Sequence, residues 1–329
     1  MTFYILTFRP MEKQFKKYFL LLLSACIGIV LLFGALNVFL DVFGLFDFRD
    51  KDKVRVYGEE RFSKYLMTFN HIPKHFEGMI LGPSLSANLN PQVIPDKNYY
   101  NLSLMGARMD NVLSLASNIL ENNGTIKEAI VCIHPYVTAD TGAKGTGFMN
   151  PDTYWKAFGS VNLLRVYGLG VIRNLDLWPS KYPKNQYEVN GSNSFESLFR
   201  VEDVSGRIAK EVDNVKINEF EIGSSYRKDF KTLLTLLQKH NIKTFIYYHP
   251  VPYPIYLEHR DKMDNYWEDI LSGTNVKKEK LFSYYNFNKS EFSGFSGDVS
   301  NYIDHGHLSI KGQETLIKEI MVKWNQIDH

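Results

Sequence analysis

A chain of 329 residues is long enough to bury a substantial core, and its 44% hydrophobic and 14% aromatic content excludes extended disorder. The formal net charge is only +2, and no long basic run occurs beyond the N-terminal region, so the sequence gives no support to nucleic-acid binding. With two cysteines, Cys26 and Cys132, the chain has no Cys-x-x-Cys metal or redox motif. We predict neither a metal nor a cofactor.

The first predicted element is an apolar helix at residues 18–46. Its uncharged part, residues 18–40, would span roughly 34 Å as a helix, enough to cross the hydrocarbon core of a bilayer. Basic residues on its N-terminal side predict that residues 1–17 are cytoplasmic and that the large C-terminal part is extracytoplasmic. These basic residues are Arg9, Lys13, Lys16 and Lys17.

An alternative for the same segment is a lipoprotein signal. The sequence "LSAC" at residues 23–26 resembles a lipoprotein cleavage site, with Cys26 as the lipidated residue. The sequence after Cys26 is strongly apolar, which favours an uncleaved single-pass anchor in the cell membrane, and the apolar run is too long for an ordinary secretory signal. Each of these interpretations places the C-terminal part outside the cytoplasm.

Charged and aromatic residues at 47–75 predict a stalk that leads into a domain at 76–329. Short, continuous apolar runs in that domain are typical of strands covered on both faces. The strand–helix alternation predicts a three-layer α/β/α, flavodoxin-like fold with a parallel sheet. The predicted strands lie at 78–82, 98–102, 128–134, 243–249 and 280–286, and the clearest helices at 109–123, 227–241 and 309–327.

Residues 138–226 interrupt this alternation. The stretch is rich in glycine, proline and scattered aromatic residues and shows few clean periods. We interpret it as an irregular insertion over one edge of the sheet, in the position of a lid or a substrate-contacting region.

Three short motifs fall where ligands collect in an open parallel sheet, at the carboxyl ends of strands. "GPS" (82–84) ends the first predicted strand, and "NLSLMG" (101–106) ends the second. "DHGHLS" (304–309) comes directly before the last predicted helix. Their order and placement indicate a single site.

These motifs resemble those of the SGNH (GDSL-like) hydrolase superfamily, in particular its membrane-anchored branch that acts on cell-envelope polymers. The resemblance covers roughly residues 76–329 and implies that Ser84 is a nucleophile, His307 the base that removes its proton, and Asp304 the carboxylate that orients the imidazole. It also implies that the backbone N–H groups of Ser84 and Gly106 form an oxyanion hole.

The sequence departs from the family pattern at two positions. Pro83 stands where the superfamily usually has aspartate, and no asparagine follows the third strand to supply a further oxyanion donor. His134, Asn88 or no residue could take that place. "HPVPYP" (249–254) resembles the proline-rich loop that forms a pocket wall in the anchored branch.

Each candidate residue also has a structural interpretation. Ser84 could cap the helix that follows the first strand, and Gly106 could be an ordinary loop glycine. Asp304 and His307 could form a turn pair, or they could bind a metal together with His305. We otherwise expect His305 to face solvent.

The sequence therefore favours a membrane-anchored serine esterase or O-acyltransferase acting on a cell-surface glycan or another envelope polymer. If it transfers acyl groups, the resemblance implies an integral-membrane acyltransferase as a partner. The alternatives are a non-catalytic envelope assembly or glycan-binding protein on the same scaffold, and a purely structural membrane scaffold.

Overall fold

The computed structural model describes residues 9–47, 51–122, 125–139, 149–157, 161–181, 186–214, 220–274 and 276–327. Its centre is a parallel five-stranded sheet with the order β2-β1-β3-β4-β5, the flavodoxin-like arrangement. This confirms the predicted fold class. The strands are β1 (Gly78–Leu81), β2 (Tyr99–Asn101), β3 (Glu128–Ile133), β4 (Lys243–Tyr248) and β5 (Phe282–Asn286).

The helices give the molecule its outer layers. They are α1 (Arg9–Leu40), α2 (Glu60–Met67), α3 (His71–His75), α4 (Ser84–Ala87), α5 (Met109–Glu121), α6 (Pro135–Thr138), α7 (Thr153–Lys156), α8 (Val161–Asn174), α9 (Phe195–Phe199), α10 (Val204–Asn214), α11 (Ser224–Lys239), α12 (Tyr253–Ser272), α13 (Ser293–Ser296) and α14 (Ile310–Ile327).

Both faces of the sheet are covered because its strands carry apolar side chains on each side. Phe245 and Tyr248 lie an odd number of residues apart on β4 and so point to opposite faces. Phe245 packs against Trp324 of α14, with ring centroids 5.7 Å apart, while Tyr248 stacks on Trp267 of α12 at the same separation. Helices α12 and α14 therefore lie on opposite sides of the sheet and complete three layers.

The predicted stalk differs from the structure. Part of the 47–75 segment forms α2 and α3, and Phe62, Leu66 and Ile72 from these helices are buried in the main hydrophobic core. The charged residues that suggested a stalk include Lys64, whose side chain is fully buried beside Glu60 at 3.0 Å. This segment is therefore a layer of the domain and not an extended linker.

Helix α1 is long and apolar enough to cross a membrane, over Gln14–Leu40, with a mean hydropathy of 2.8. The chain just beyond it joins the core, where Val42 and Phe43 are buried and Phe43 meets the ring of Phe62 edge-on at 5.7 Å. The hydroxyl of Tyr167 in α8 donates to the side-chain oxygen of Asn37. The end of α1 is therefore fixed to the domain.

The region predicted as an irregular insertion contains α7 to α10, so it is more regular than its composition suggests. One of its loops lies along the β2 edge, where the amide of Asn101 donates to the carbonyl of Asn190 at 2.7 Å. Gly191 has a φ of +79°, and a Cβ there would lie 2.5 Å from the carbonyl oxygen of Asn101. Only glycine allows the loop to lie so close to the strand.

Candidate active site

Ser84 lies at the carboxyl end of β1, where the chain turns tightly into α4. The turn requires Gly82, because a Cβ at this position would lie 2.6 Å from the Cβ of Cys132 on the neighbouring β3. Helix α4 begins at Ser84, and Pro83 occupies the capping position. Ser84 is therefore the first residue of the helix and not its cap, and its side chain is partly exposed.

The loop after β2 carries Gly106, which has a φ of +61° that favours glycine. Helix α2 holds this loop in place through its charged side chains. Lys64 donates to the carbonyl of Ser103 at 2.7 Å, and Arg61 donates to that of Gly106 at the same distance. The amide of Gly106 itself donates to no group in the described part of the chain.

The buried side chain of Asn101 connects this loop to α4 through hydrogen bonds. Its buried amide nitrogen donates to the carbonyls of Ser86 and Leu89, both at 2.8 Å, and its oxygen accepts from the amide of Ser103 at 2.9 Å. In the sequence, Asn101 stands out only as the first residue of the motif at 101–106. Its position shows that it fixes the spacing between the chain segments that carry Ser84 and Gly106.

Asp304 and His307 form the predicted pair. The Nδ1 atom of His307 donates to Oδ2 of Asp304 at 2.8 Å, and the amides of Gly306 and His307 donate to Oδ1. Burial by itself would raise the pKa of Asp304, but these hydrogen bonds lower it to about 2. The carboxylate is therefore ionised and holds the imidazole with its Nε2 atom opposite the carboxylate.

The turn at residues 304–307 packs against α4. A Cβ on Gly306 would lie 3.1 Å from a methyl group of Leu85, and Asn88 donates to the carbonyl of Leu308 at 2.6 Å. The residues before and after His307, Gly306 and Leu308, thus each contact the segment that begins at Ser84. Between these two described residues there is no Ser84–His307 hydrogen bond, and the Ser84 hydroxyl has no partner in the described ranges.

His249 supports the turn from the end of β4, a role that sequence analysis missed. Its side chain is fully buried, and its Nε2 atom donates to the carbonyl of Gly306 at 3.1 Å. Burial lowers the pKa of His249 to about 3, so the ring is neutral at ordinary pH. The signal available in the sequence was only a histidine at the end of a predicted strand.

His134 directly follows β3 and precedes α6, at the position where the sequence has no asparagine. Its Nδ1 atom accepts from the amide of Tyr136 at 3.3 Å at the start of α6. Burial, followed by the neighbouring histidines, lowers the pKa of His134 well below its usual value, so the ring is neutral. With Nδ1 as the acceptor, the proton is on Nε2. Asn88, in contrast, is engaged with Leu308.

We expected His305 to face solvent, but in the structure it contacts α10. Arg207 of α10 donates to its Nδ1 atom at 3.1 Å, and its Nε2 atom lies 4.0 Å from a carboxylate oxygen of Glu211. Helix α10, from the predicted insertion, thus covers one side of the turn. Within the described residues no group of three or more histidine, cysteine or acidic side chains could hold a metal ion, so the alternative metal site has no support there.

A small cavity opens beside α4 and the 304–307 turn. Its volume is about 40 Å³. Val251, from the proline-rich segment at 249–254, and Ile255, just beyond it, form part of its wall. Its other lining residues are Leu85, His134, Pro135, Tyr136, Glu211, Phe220, Met263, His305 and Gly306.

Together these features bring the helix that begins at Ser84 against the turn that carries the Asp304–His307 pair. This set of groups can support nucleophilic attack on an acyl carbonyl and stabilise the resulting oxyanion.

No family model matches the chain, and neither does any curated protein. Among solved structures, the chain is similar to one described as "a putative platelet activating factor from Streptococcus pneumonia". The likeness covers 80% of this chain and 91% of the other, at 11% identity and a TM-score of 0.44. This is a weak likeness.

Proposed function

We propose that the protein is a membrane-anchored, extracytoplasmic SGNH-like acyl-ester hydrolase or O-acyltransferase. The observation that carries the proposal is the packing of the Asp304–His307 pair against the helix that begins at Ser84. An ionised carboxylate on Nδ1 leaves Nε2 as the basic atom of the imidazole, and a serine hydroxyl needs such a base before it can attack a carbonyl.

In the proposed reaction the Ser84 side chain turns toward His307, and Nε2 takes the hydroxyl proton as the oxygen attacks the acyl carbon. Asp304 stabilises the imidazolium that forms. When the tetrahedral intermediate collapses, His307 returns the proton to the departing alcohol, and the acyl group remains on Ser84. Water or a sugar hydroxyl then attacks this ester, which gives hydrolysis or transfer respectively.

Three donors would stabilise the oxyanion. The amides of Ser84 and Gly106 belong to a helix N-terminus and to a loop held by α2, so both are fixed before substrate binds. The Nε2–H group of His134 would serve where the family uses asparagine. A neutral imidazole that donates one hydrogen bond can fill that role, and one such donor is typically worth about 10²–10³ in rate.

The membrane anchor would be α1. The chain directly after α1 packs into the core through Val42 and Phe43, so the helix leads straight into the domain. The basic N-terminal flank then places the domain outside the cytoplasm. A domain held at the membrane surface suits a cell-surface glycan or envelope polymer as substrate, with an integral-membrane acyltransferase as partner if the reaction is transfer.

A non-catalytic glycan-binding or assembly protein on the same scaffold is the second candidate. The observation that favours it is that Oδ1 of Asp304 accepts from the backbone amides of Gly306 and His307, as a carboxylate does in a purely structural turn. In this case the Asp304–His307 pair would serve only to shape the turn.

Labelling with a fluorophosphonate probe separates the two candidates. The full-length protein in membranes should react, Ser84→Ala should lose the label, and Ser197→Ala, at an exposed serine of α9, should retain it. Wild-type protein that is folded but takes no label, or equal labelling of the wild type and Ser84→Ala, would contradict the enzymatic proposal.

A further inference from the structure

The outer face of α8 is apolar although it faces away from the core. Leu164 and Val171 of α8 and Leu175, which directly follows the helix and donates to the carbonyl of Val171, recur at helical spacing with Gly168 between the first two, and therefore form one stripe. Their exposed fractions are 51%, 56% and 65%. The opposite face of α8 already packs on the core through Leu163, Val166 and Leu169.

Aromatic and aliphatic residues extend this stripe. Leu177 and Trp178, in the turn after α8, have exposed fractions of 52% and 60%, and Trp155 of α7 is 74% exposed. We call Trp155, Leu164, Val171, Leu175, Leu177 and Trp178 the outer apolar patch. Single exposed apolar residues are common, but several on one helix and its flanks mark an interaction surface.

The outer apolar patch belongs to elements that touch the end of the candidate membrane helix. Tyr167, in the middle of α8, donates to Asn37 near the C-terminal end of α1. Leu163 of α8 and Ala157, next to α7, line one small cavity together with Val42 and Phe43. If α1 crosses a bilayer, α7 and α8 are held where that helix leaves it.

The charges around the patch fit a lipid surface. The Nζ atom of Lys181 lies 4.4 Å from the centre of the Trp178 ring, and the exposed Lys156 and Arg165 directly follow Trp155 and Leu164 in the sequence. Asp176, exposed between Leu175 and Leu177, is the acidic exception within the patch. Tryptophan is enriched at membrane interfaces, and basic side chains beside an apolar helix face contact the phosphate groups of lipids.

We infer that α8, with Trp155 and Trp178 beside it, lies on the surface of the bilayer that α1 enters. The occupant of the outer apolar patch is thus the boundary between lipid headgroups and acyl chains. A helix of 14 residues is about 21 Å long. Helix α8 would therefore attach the domain to the membrane over a length greater than the width of α1. Together the two attachments would fix the orientation of the domain on the membrane. The inference depends on the anchor in the proposed function.

Tryptophan fluorescence can test this because the chain has four tryptophans, and the other two, Trp267 and Trp324, are buried at 4% exposure. The full-length protein is placed in vesicles of phosphatidylcholine and phosphatidylglycerol, with or without bromine on the acyl chains near the headgroup. We expect bromine to quench part of the emission and the Trp155→Phe/Trp178→Phe double variant to lose the quenched part.

Charge substitutions then test the stripe itself. Val171→Glu/Leu175→Glu should reduce the quenching by at least half, whereas Val322→Glu, at a residue 47% exposed on α14, should leave it unchanged. Wild-type emission that is equal in both lipids, as expected if a protein partner covers the patch, would overturn the inference. So would equal quenching in the Val171→Glu/Leu175→Glu and Val322→Glu proteins. Resistance to alkaline extraction tests whether α1 spans the membrane, and fluorophosphonate labelling tests whether Ser84 is a nucleophile. A negative quenching result can therefore be distinguished from failure of the anchor or of the enzymatic proposal.

Discussion

His307 is joined to the carboxylate of Asp304 twice, once through its imidazole and once through its backbone. Nδ1 of the imidazole lies 2.8 Å from Oδ2, and the backbone amide of His307 donates to Oδ1 at 2.7 Å. The first bond sets the tautomer of the ring, and the second sets the turn that carries it. Because both depend on one carboxylate with a pKa of about 2, the geometry persists throughout the ordinary pH range.

Asp304→Asn should therefore lower kcat for ester hydrolysis by about 10³–10⁴-fold with little change in KM. The asparagine amide can donate to Nδ1, which leaves the proton on Nε2, the atom that has to accept it from Ser84. Steady-state hydrolysis of a short acyl ester measures the effect.

Asp298→Asn is the matched control, since Asp298 is an acidic residue near the same turn that contacts Lys311 and Ser300 instead of the imidazole. It should keep the wild-type rate. A folded Asp304→Asn protein with near wild-type kcat would show that the pair is only a structural turn.

His249 predicts a pH dependence of stability. Its pKa is about 3 in the folded protein and 6.5 in the reference state, because burial disfavours the charged ring. Below pH 6.5 the unfolded chain binds a proton that the folded chain cannot, so stability is lost as the pH falls from 6.5 toward 3. Relative to His249→Gln, the free energy of unfolding should fall by about 2 kcal/mol between pH 6.5 and 4.5.

The glutamine variant retains an N–H donor for the carbonyl of Gly306 but does not titrate, so the comparison cancels the other ionisable groups. Chemical unfolding in detergent at several pH values gives both curves. Curves that run parallel across this range would mean that the histidine is protonated or exposed in the native state.

The strands could be predicted because each is a continuous apolar run, and a strand covered on both faces leaves that pattern. Their ends were predicted to within about two residues, as for β5 at Phe282–Asn286 against 280–286. The alternation of strands and helices predicted that the sheet is parallel, and the structure gives the order of its strands.

Elements whose burial depends on distant partners could not be predicted in the same way. Helix α12 begins with Pro252 at its cap and Pro254 in its first turn, where proline is tolerated, yet the prolines suggested only a loop. Helix α2 looked like part of a stalk because Glu60 and Lys64 are charged. They neutralise each other inside the fold, a pairing that local sequence does not reveal.

For the candidate site, strand ends and the final turn predicted where Ser84, Gly106 and Asp304 would lie. The roles of His134 and His249 could not be predicted, because they depend on which strands are neighbours in the sheet. They also depend on which nitrogen of each ring forms a hydrogen bond with the backbone. His305 was expected in solvent because Arg207 and Glu211, which hold it, come from a region without a clear pattern.

The buried pair in α2 yields the last prediction. Lys64 lies 3.0 Å from Glu60 and donates to Ser103, while Glu60 accepts from the amide of Met105 at 2.9 Å. Burial lowers the pKa of Lys64, and the Glu60 carboxylate opposes that shift. Lys64→Met leaves a buried carboxylate without its cation and should lower the free energy of unfolding by about 3–5 kcal/mol.

The double variant Glu60→Gln/Lys64→Met should recover most of this loss, because no buried charge remains and glutamine can still accept from Met105. Activity should recover less than stability, since the carbonyl of Ser103 has lost its donor and the loop that carries Gly106 is held less firmly. Lys277→Met, which breaks an exposed pair with Glu268 at 2.7 Å, should change neither quantity measurably.

If the double variant is as unstable as Lys64→Met, the loss of stability arises from packing around Lys64 and not from the unpaired carboxylate. If its activity returns fully with its stability, the pair does not position the loop.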